Sequence, residues 1–265
     1  MKQVRPKKNL GQHFLTDLSI AKRIADTVDH PFASLPVLEV GPGMGVMTQF
    51  LVEKPRPLKV VEIDRESVAY LNERFPTLRE HILGEDFLRM DLKKVFGGST
   101  FVLTGNYPYD ISSQIFFKML DNRDLIPCCT GMIQHEVALR MASQPGNKQY
   151  GILSVLIQAW YDVEYLFTVE PSVFNPPPNV QSAVIRMTRN GVEHLGCDEA
   201  LFRRVVKTTF NQRRKMLRVS LRQLLPQTAI DGLAASPFLT RRPEQLSISD
   251  FVELTNLVAD SGQQE

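Results

Sequence analysis

Between residues 37 and 187 short apolar runs alternate with amphipathic stretches, and this alternation constrains the fold more than any other feature of the chain. The apolar runs predict strands at residues 37–40, 58–63, 81–83, 101–103 and 130–133. Helical patterns occur at residues 46–53, 65–74, 112–120, 136–142 and 149–158. Strands that alternate with helices form mainly parallel sheets with helices on both faces. Two later runs, 163–168 and 182–187, flank a Pro-rich loop and predict an antiparallel pair at the sheet edge.

The character of the chain changes near residue 191, where helical periodicity replaces the alternation. Apolar residues recur at helical spacing in residues 201–210, 216–225 and 251–257. Ser249 or Asp250 is a suitable cap for the last of these helices. A length of 265 residues accommodates one large and one small domain. We therefore predict a catalytic α/β domain over residues 1–190 and a small all-helical domain over residues 191–265.

Composition narrows the class of protein. Hydrophobic residues make up 43% of the chain and charged residues 23%, as in ordinary globular proteins with a sizeable core. No apolar run approaches the roughly 18 residues that span a bilayer, and no signal peptide is recognisable. The three cysteines, Cys128, Cys129 and Cys197, lack metal-binding spacing. These features predict a cytoplasmic protein with no membrane partner and no metal site.

The net charge of +2 hides an uneven distribution of basic residues. Lys2, Arg5, Lys7 and Lys8 precede the first acidic residue of the chain. Residues 201–225 contain no acidic residue and carry eight cations: Arg203, Arg204, Lys207, Arg213, Arg214, Lys215, Arg218 and Arg222. A charge run is often only a solvated helix face. Eight cations without counter-charges repel one another unless a polyanion is close, so this run predicts phosphate contact.

Residues 105–109 read Gly-Asn-Tyr-Pro-Tyr and follow a predicted strand. Asn106 offers a side-chain carbonyl, the peptide before Pro108 or Pro108 itself offers a backbone carbonyl, and Tyr109 offers an aromatic face. Proline lacks an N–H, so the turn presents acceptors without a competing donor. Two acceptors and a stacking ring suit an exocyclic amine such as that of adenine. The alternative is a plain strand-ending turn in which Tyr109 belongs to the core.

A Gly-rich turn at residues 41–45 follows the first predicted strand of the sheet. Its spacing is G-x-G-x-G, and Val46 stands where a dinucleotide-binding fingerprint has its third glycine. Glu62 ends the next strand, where its carboxylate can accept both hydroxyls of a ribose. Asp86 follows the third strand and can accept from an adenine amine, with Phe87 beside it. Singly, these carboxylates could serve loop solvation or helix capping; together they predict a pocket for an adenosine without phosphates.

Six segments of the chain have the character of family signatures. They read Asn-Leu-Gly-Gln-His-Phe-Leu at 9–15, Glu-Val-Gly-Pro-Gly-Met-Gly at 39–45, Glu-Ile-Asp at 62–64, Gly-Asn-Tyr-Pro-Tyr at 105–109, Phe-Asn-Pro-Pro-Pro-Asn-Val at 174–180 and Phe-Asn-Gln-Arg-Arg-Lys at 210–215. In this order they resemble the KsgA/RsmA-type ribosomal RNA adenine dimethyltransferases over nearly the full length. Two positions depart from the family pattern: Tyr107 replaces a common Leu and Asp110 a common Asn.

The resemblance implies a Rossmann-like class I methyltransferase fold, and S-adenosylmethionine as the cofactor. Matching positions imply cofactor contacts at His13, Leu15, Gly41, Gly43, Glu62, Asp86 and Asn106. They imply a target-base site formed by Asn106, Pro108, Tyr109 and Phe174, with the base stacked between Tyr109 and Phe174. Contacts to RNA are expected from Arg213, Arg214, Lys215 and Arg218.

The same resemblance implies N6-dimethylation of two adjacent adenosines in the 3′-terminal hairpin of small-subunit ribosomal RNA. The expected partner is the immature 30S particle, and the protein is expected to be a monomer with a role in small-subunit biogenesis. Three alternatives remain at this stage. They are a resistance-type dimethyltransferase of large-subunit RNA, a ribosome-assembly factor that acts by binding, and a nicotinamide oxidoreductase, which the spacing at Val46 disfavours.

Overall fold

A computed structural model describes residues 13–262 of the chain. The basic N-terminal residues and the first four residues of the 9–15 signature lie outside this range, and so do residues 263–265. Within the range, no helix is both long enough and apolar enough to span a bilayer.

A seven-stranded sheet organises the first part of the molecule. Its strands are β2 (Val37–Val40), β3 (Leu58–Val61), β4 (Ile82–Leu83), β5 (Val102–Asn106), β6 (Cys128–Gln134), β7 (Tyr161–Val169) and β9 (Ser182–Arg189). The order across the sheet is β4-β3-β2-β5-β6-β9-β7. The first five strands in this order are parallel to one another, whereas β9 runs antiparallel to β6. A separate antiparallel pair joins β1 (Phe14–Leu15) to β8 (Phe174–Asn175). The predicted mostly parallel sheet with an antiparallel edge is confirmed.

The strand order reverses between β2 and β5, and this reversal determines where a ligand can bind. Successive strands add on the β3 side of β2 first, and β5 then pairs with the other side of β2. In open α/β sheets a crevice forms beyond the carboxyl ends of the strands at such a point. The loops that follow β2, β3 and β5 therefore converge on a common crevice.

The first six helices surround or follow these strands. They are α1 (Leu18–Asp26), α2 (Thr48–Leu51), α3 (Arg65–Arg74), α4 (Leu92–Val95), α5 (Ser112–Asp121) and α6 (His135–Ala142). Carboxylates begin three of them, because Asp17 accepts from the amides of Ser19 and Ile20, Asp64 from the amide of Ser67 and Asp91 from the amide of Lys93. Helix α2 begins at Thr48 and is shorter than the predicted 46–53, because the turn that contains the glycines continues through residue 47.

Packing against one face of the sheet holds the amino ends of three central strands together. Val37, Val102 and Cys128 are register partners in three adjacent strands. They join one hydrophobic cluster with Ala25 of α1 and Leu51 of α2. Full burial of a side chain of this size contributes roughly 1.5–3 kcal/mol. The row therefore anchors the three strands at the ends opposite the crevice.

By contact density the chain divides into two compact units. The first contains the described residues up to Ala138 together with Val163–Arg189, and the second contains Leu139–Asp162 and the residues from Asn190 onward. Helices of the second unit are α7 (Ile152–Gln158), α8 (Glu199–Asn211), α9 (Leu217–Ser220), α10 (Gln227–Gly232) and α11 (Ile248–Gly262). The predicted domain boundary at residue 190 stays a prediction, and residues 139–162 group with the later helices.

Aromatic contacts explain this grouping. The Tyr150 ring packs edge-on against Phe210 of α8, with ring centroids 6.1 Å apart, and Trp160 packs in the same way against Phe202. The Tyr150 hydroxyl also donates to the carbonyl of Leu246 at 2.9 Å. Short 3₁₀ helices complete the described secondary structure at Thr27–Asp29, Pro76–His81, Tyr109–Ile111, Pro171–Val173, Leu221–Gln223 and Pro243–Gln245.

Candidate active site

A cavity of about 280 Å³ lies where the loops after β2, β3 and β5 converge. This is near the lower end of the size range for small-molecule sites. The structure brings most of the predicted site residues to its wall: His13, Leu15, Gly41, Gly43, Glu62, Asp86, Asn106, Pro108 and Tyr109. Parallel pairing aligns the ends of β2, β3, β4 and β5, and this is why Gly41, Glu62, Asp86 and Asn106 meet here.

Glu62 is the carboxylate that organises the glycine turn. Its side chain is buried, with Oε2 accepting from the Gly43 amide at 3.0 Å and Oε1 from the Asp64 amide at 2.9 Å. Burial raises the pKa of Glu62, and the two amide hydrogen bonds act in the opposite direction. The Gly41 amide donates to the Val61 carbonyl at 2.9 Å, so both glycines are tied to the end of β3. Each carboxylate oxygen keeps a further lone pair for a hydroxyl.

Glu39 lines the same cavity, a position that was not predicted from the sequence. It is 2% exposed, and its Oε2 accepts from the Thr48 hydroxyl at 2.7 Å. Burial raises the pKa of Glu39 to about 8, and the negative charge of Glu62 acts in the same direction. The signal in the sequence was a single acidic residue inside the otherwise apolar run Val37–Val40.

Asp86 and Ile63 form the outer part of the cavity wall. The Asp86 Oδ1 atom accepts from the Leu88 amide at 2.9 Å, and Arg89 pairs with Oδ2 at 3.5 Å from an exposed position. Ile63 is 55% exposed and follows the buried Glu62 directly in the chain. Phe87 is buried directly beside Asp86. A carboxylate with apolar surface on either side suits a purine ring with an amino group.

The charges around the cavity discriminate between cofactors. Five carboxyl groups line it, those of Glu39, Glu62, Glu85, Asp86 and Asp110, and none of its lining residues within the described chain is Lys or Arg. A pyrophosphate would face acidic groups without a cationic partner. A ligand with ribose hydroxyls, a purine amine and positive charge matches the same groups, so S-adenosylmethionine fits this wall.

Asn106 ends β5 with its side chain half-buried at the cavity. Its Nδ2 donates to the His13 carbonyl at 3.3 Å. A carbonyl can only accept, so the contact assigns the NH2 group to His13 and leaves Oδ1 as the outward acceptor. The Pro108 carbonyl accepts from the Ile111 amide at 3.3 Å. Among the described residues no hydrogen bond engages the Tyr107 carbonyl, which makes it the second available acceptor of the turn.

The Tyr107 side chain points away from the cavity into the sheet. Its ring is 1% exposed and its hydroxyl donates to the Thr130 carbonyl of β6 at 3.0 Å. Glycines provide the space, because a Cβ on Gly131 would lie 2.2 Å from the Gly105 oxygen and 2.7 Å from the Tyr107 ring. The replacement of a Leu by Tyr107 therefore changes the support beneath the turn and leaves the base-facing surface free of the extra ring.

Tyr109 is half-buried at the mouth of the cavity and is held from two sides. Its hydroxyl shares a short hydrogen bond with the buried Ser182 hydroxyl. Its ring stacks on the His13 imidazole, with centroids 5.8 Å apart and planes inclined by 26°. Burial raises the pKa of Tyr109 above its ordinary value, so the ring stays a neutral phenol at physiological pH. Ser182 has no signal in the sequence that would have marked it.

Phe174 occupies a position different from the one expected of a stacking residue. It pairs with Leu15 in the β1–β8 ladder, is 4% exposed and joins the hydrophobic cluster that contains Met47 and Met132. It does not contribute to the described wall of the cavity. The strand pairing directs the ring into the cluster, so stacking on a base would require it to leave this position.

The four predicted RNA-binding cations belong to the second unit and differ in their surroundings. Arg213 pairs with Glu244 at 2.8 Å and donates to the Asn147 carbonyl at 3.3 Å. Arg214, Lys215 and Arg218 are exposed, and within residues 13–262 they have no ion-pair partner. Arg213 therefore fastens the loop, and its three neighbours present the charge.

Comparison with known proteins agrees with this site. A family model described as ribosomal RNA adenine dimethylase matches residues 3–260. The chain belongs to the ribosomal RNA adenine dimethylase family. As a member of this family it is an enzyme, a methyltransferase that dimethylates adenine in ribosomal RNA with S-adenosylmethionine as the methyl donor.

Relatives in the adenine dimethylase family carry the name ribosomal RNA small subunit methyltransferase A. The chain is 66% identical over 261 residues to the protein of Bacteroides thetaiotaomicron, covering 98% of this chain and 97% of the relative. It is 67% identical over 255 residues to the protein of Phocaeicola vulgatus, covering 96% and 90% respectively.

Two solved structures resemble the dimethylase fold described above. A dimethyladenosine transferase from Plasmodium falciparum has a TM-score of 0.79 at 23% identity, covering 94% of this chain and 98% of the other, and supports the fold. The 23S rRNA methyltransferase ErmE has a TM-score of 0.67 at 25% identity, covering 93% and 99% respectively.

Proposed function

We propose that this dimethylase acts on two adjacent adenosines in the 3′-terminal hairpin of small-subunit ribosomal RNA, within the immature 30S particle. Relatives at 66% and 67% identity, named as small-subunit methyltransferases, support this choice of RNA. The observation that carries the chemistry is the fixed orientation of the Asn106 amide, with Oδ1 available at the cavity. The protein works in the cytoplasm as a monomer during small-subunit biogenesis.

The acceptor turn addresses the weak nucleophilicity of the adenine amino group, whose lone pair is delocalised into the ring. When bound, S-adenosylmethionine supplies an electrophilic methyl group on a sulfonium. Asn106 Oδ1 and the Tyr107 carbonyl accept the two N–H groups of the amine and direct its lone pair toward that methyl. Positioning of this kind can supply on the order of 7–11 kcal/mol of the barrier.

Tyr109 provides the surface on which the extruded base stacks. Base–aromatic stacking contributes about 1–3 kcal/mol per base. Adenosines in a hairpin loop cost least to unstack, which favours such a target. No catalytic base is required, since a methylated adeninium is acidic enough to lose its proton to water. Two successive transfers to the same nitrogen then give the dimethyl product.

On the cofactor side of the cavity, different residues contact different parts of S-adenosylmethionine. Glu62 receives the ribose hydroxyls and Asp86 the adenine amine, while the exposed Ile63 side chain covers the purine ring. Glu39 lies deeper, and positive charge in the cavity would favour its ionised form. His13 and Leu15 complete the wall beside the glycine turn. These assignments agree with the predicted cofactor contacts, which remain proposals.

RNA retention is assigned to the exposed cations of residues 211–218. Arg214, Lys215 and Arg218 are free to approach phosphates, and contacts of this type position the RNA without reading its sequence. Arg213 supports the loop through Glu244. Sequence selection then depends on which adenosines can be extruded into the acceptor site.

The test is mass spectrometry of ribosomal RNA from cells with and without this protein. We expect the loss of two adjacent N6-dimethyladenosines from the 3′-terminal hairpin of the small-subunit RNA. Loss of a dimethyladenosine from large-subunit RNA instead would favour the second candidate, to which the likeness to a 23S rRNA methyltransferase points. Unchanged modification of both RNAs would contradict methyl transfer as the function.

A further inference from the structure

Segment 13–16 lies between two parts of the first unit that the reaction needs together. On one side is the acceptor turn with Asn106 and Tyr109, and on the other is the Pro-rich segment that begins at Val173. His13 contacts both sides, through its carbonyl, its ring face and its ring nitrogen. A role limited to cofactor contact does not account for these three interactions, which all involve protein groups.

The first contact determines the orientation of the Asn106 amide. The His13 carbonyl accepts from Nδ2 at 3.3 Å, and this peptide oxygen has no proton to offer. An amide rotated by 180° would place Oδ1 against that carbonyl and turn the NH2 group toward the substrate amine. Oδ1 and the His13 carbonyl would then repel each other as two acceptors, and the NH2 group and the substrate N–H groups as donors. The location of the His13 peptide therefore decides which Asn106 atom faces the base.

The second contact supports the Tyr109 ring. The His13 imidazole stacks on one face of the phenol ring, while the hydroxyl is held by Ser182. Together these contacts fix both the tilt and the in-plane rotation of the ring. The opposite face of Tyr109 remains the surface for a base.

The third contact fixes the imidazole itself. His13 Nδ1 lies 2.9 Å from the Pro176 carbonyl, which can only accept, so Nδ1 carries the proton. Thr16 adds two hydrogen bonds from its amide and hydroxyl to the Val173 carbonyl, at 2.8 and 2.9 Å. The Phe14–Leu15 strand pairs with Phe174–Asn175 between these two points. The segment is thus clamped along its length.

We propose that His13 is a positioning residue for the methyl acceptor, in addition to any contact with the cofactor. It transmits the position of the Pro-rich segment to Asn106 and Tyr109 and holds both in the geometry for attack. The inference rests on the proposed function, because it concerns the same base site. Loosening of such a support by about 1 Å can lower a rate by up to about 100-fold.

The decisive measurement is the single-turnover rate of methyl transfer at saturating S-adenosylmethionine and saturating RNA. His13→Phe keeps an aromatic face and removes the N–H that reaches Pro176. We expect its rate to fall between about 10- and 100-fold, with the thermal unfolding temperature close to wild type. The matched control is His194→Phe in the second unit, where the histidine is exposed, and its rate should equal that of wild type.

A second variant shows whether the loss acts through the acceptor site. Tyr109→Phe removes the Ser182 hydrogen bond and keeps the ring. If His13 acts by holding Tyr109, the double variant should lose far less activity than the product of the two single losses. A full product, or a His13→Phe rate within about twofold of wild type at saturation, would overturn the proposal.

Failure of the proposed function gives a different result. In that case the wild-type protein itself would transfer no methyl groups to small-subunit RNA. An active wild type with an equally active His13→Phe variant would refute only the positioning role.

Discussion

The acceptor turn at residues 105–109 and the basic loop at residues 211–218 are both polar segments with recognisable motifs, yet the protein holds them in opposite ways. In the acceptor turn the side chains themselves are fastened, through His13, Thr130 and Ser182. In the basic loop the backbone is fastened, because the amides of Leu217 and Arg218 donate to the carbonyls of Arg241 and Leu239 at 2.8 and 3.1 Å. The cationic ends remain in solvent.

The difference follows from what each segment has to do. A group that directs a lone pair along one line must have one orientation, and hydrogen bonds to rigid strands provide it. A group that attracts a flexible polyanion gains from mobility, since phosphate contacts tolerate many geometries. Arg213 differs from the other cations of the loop, because its side chain forms an ion pair with Glu244. This ion pair anchors the loop, so the Arg213 side chain is held in place.

The largest expected effect separates chemistry from binding. Asn106→Ala removes the oriented acceptor, and we expect the methyl-transfer rate to fall by about 100- to 1,000-fold, as when an oriented catalytic hydrogen bond is lost. RNA affinity, measured by filter binding, should stay within about twofold of wild type. Asn256→Ala, at an exposed position of α11, is the control. An equal loss of RNA affinity and rate would contradict the role of Asn106.

The next effect concerns the support beneath the acceptor turn. Gly131→Ala places a Cβ 2.2 Å from the Gly105 backbone oxygen, which cannot move without breaking the β5–β6 ladder. We expect the free energy of unfolding in urea to fall by about 3 kcal/mol or more. Gly196→Ala is the control, since this glycine also has a positive φ but has open space around it. Its cost should be about 1–2 kcal/mol, and similar losses for both variants would refute the packing argument.

A third effect tests the division of labour in the basic loop. Replacing Arg214, Lys215 and Arg218 together by Gln should weaken RNA binding about 10- to 100-fold and lower the salt dependence of log K by about 2. The rate at saturating RNA should not change. Arg213→Gln should instead lower the stability of the protein and leave the salt slope nearly intact. A reduced salt slope for Arg213→Gln would place this residue among the RNA contacts.

The last effect concerns the buried carboxyl of the cofactor pocket. The folded protein raises the pKa of Glu39 from its ordinary value of 4.5 to about 8, so the folded state binds a proton that the unfolded state releases. The contribution of this carboxyl to stability should therefore be fully present below about pH 4.5 and decline as the pH rises toward 8, by about 1.4 kcal/mol per pH unit.

Glu39→Gln should remove this decline, because the amide oxygen still accepts from Thr48 and carries no proton equilibrium. The measurement is urea denaturation at pH 5.5 and 7.5 without cofactor. Equal changes in the free energy of unfolding for wild type and variant would show that Glu39 is not protonated in the folded protein.

Much of the first unit could be predicted from local patterns. The helix at 65–74 was located with its ends, because Asp64 caps it and the apolar spacing is helical. Glu62 and Asp86 were placed in the pocket since parallel strands bring their carboxyl ends together. The residues of the acceptor turn were recognisable from their place among six ordered signature segments, because the turn alone also fits a plain strand end.

Other features had no local signal. Glu39 was overlooked as a site residue because its partner Thr48 is found only once α2 packs beside β2. Ser182 reaches Tyr109 across more than seventy residues of chain. The burial of Phe174 follows from its pairing with β1, and the engagement of Arg213 from a glutamate in a distant turn.

The sequence by itself determined the order of strands and helices, the residues available at the strand ends and the positions of spare positive charge. Those properties depend on spacing, on caps and on composition, which are local in the chain. Only the tertiary structure decided which atom of Asn106 faces the substrate and which rings face the cavity. Such orientations are set by hydrogen bonds and packing between segments far apart in the chain, and a linear pattern does not contain them.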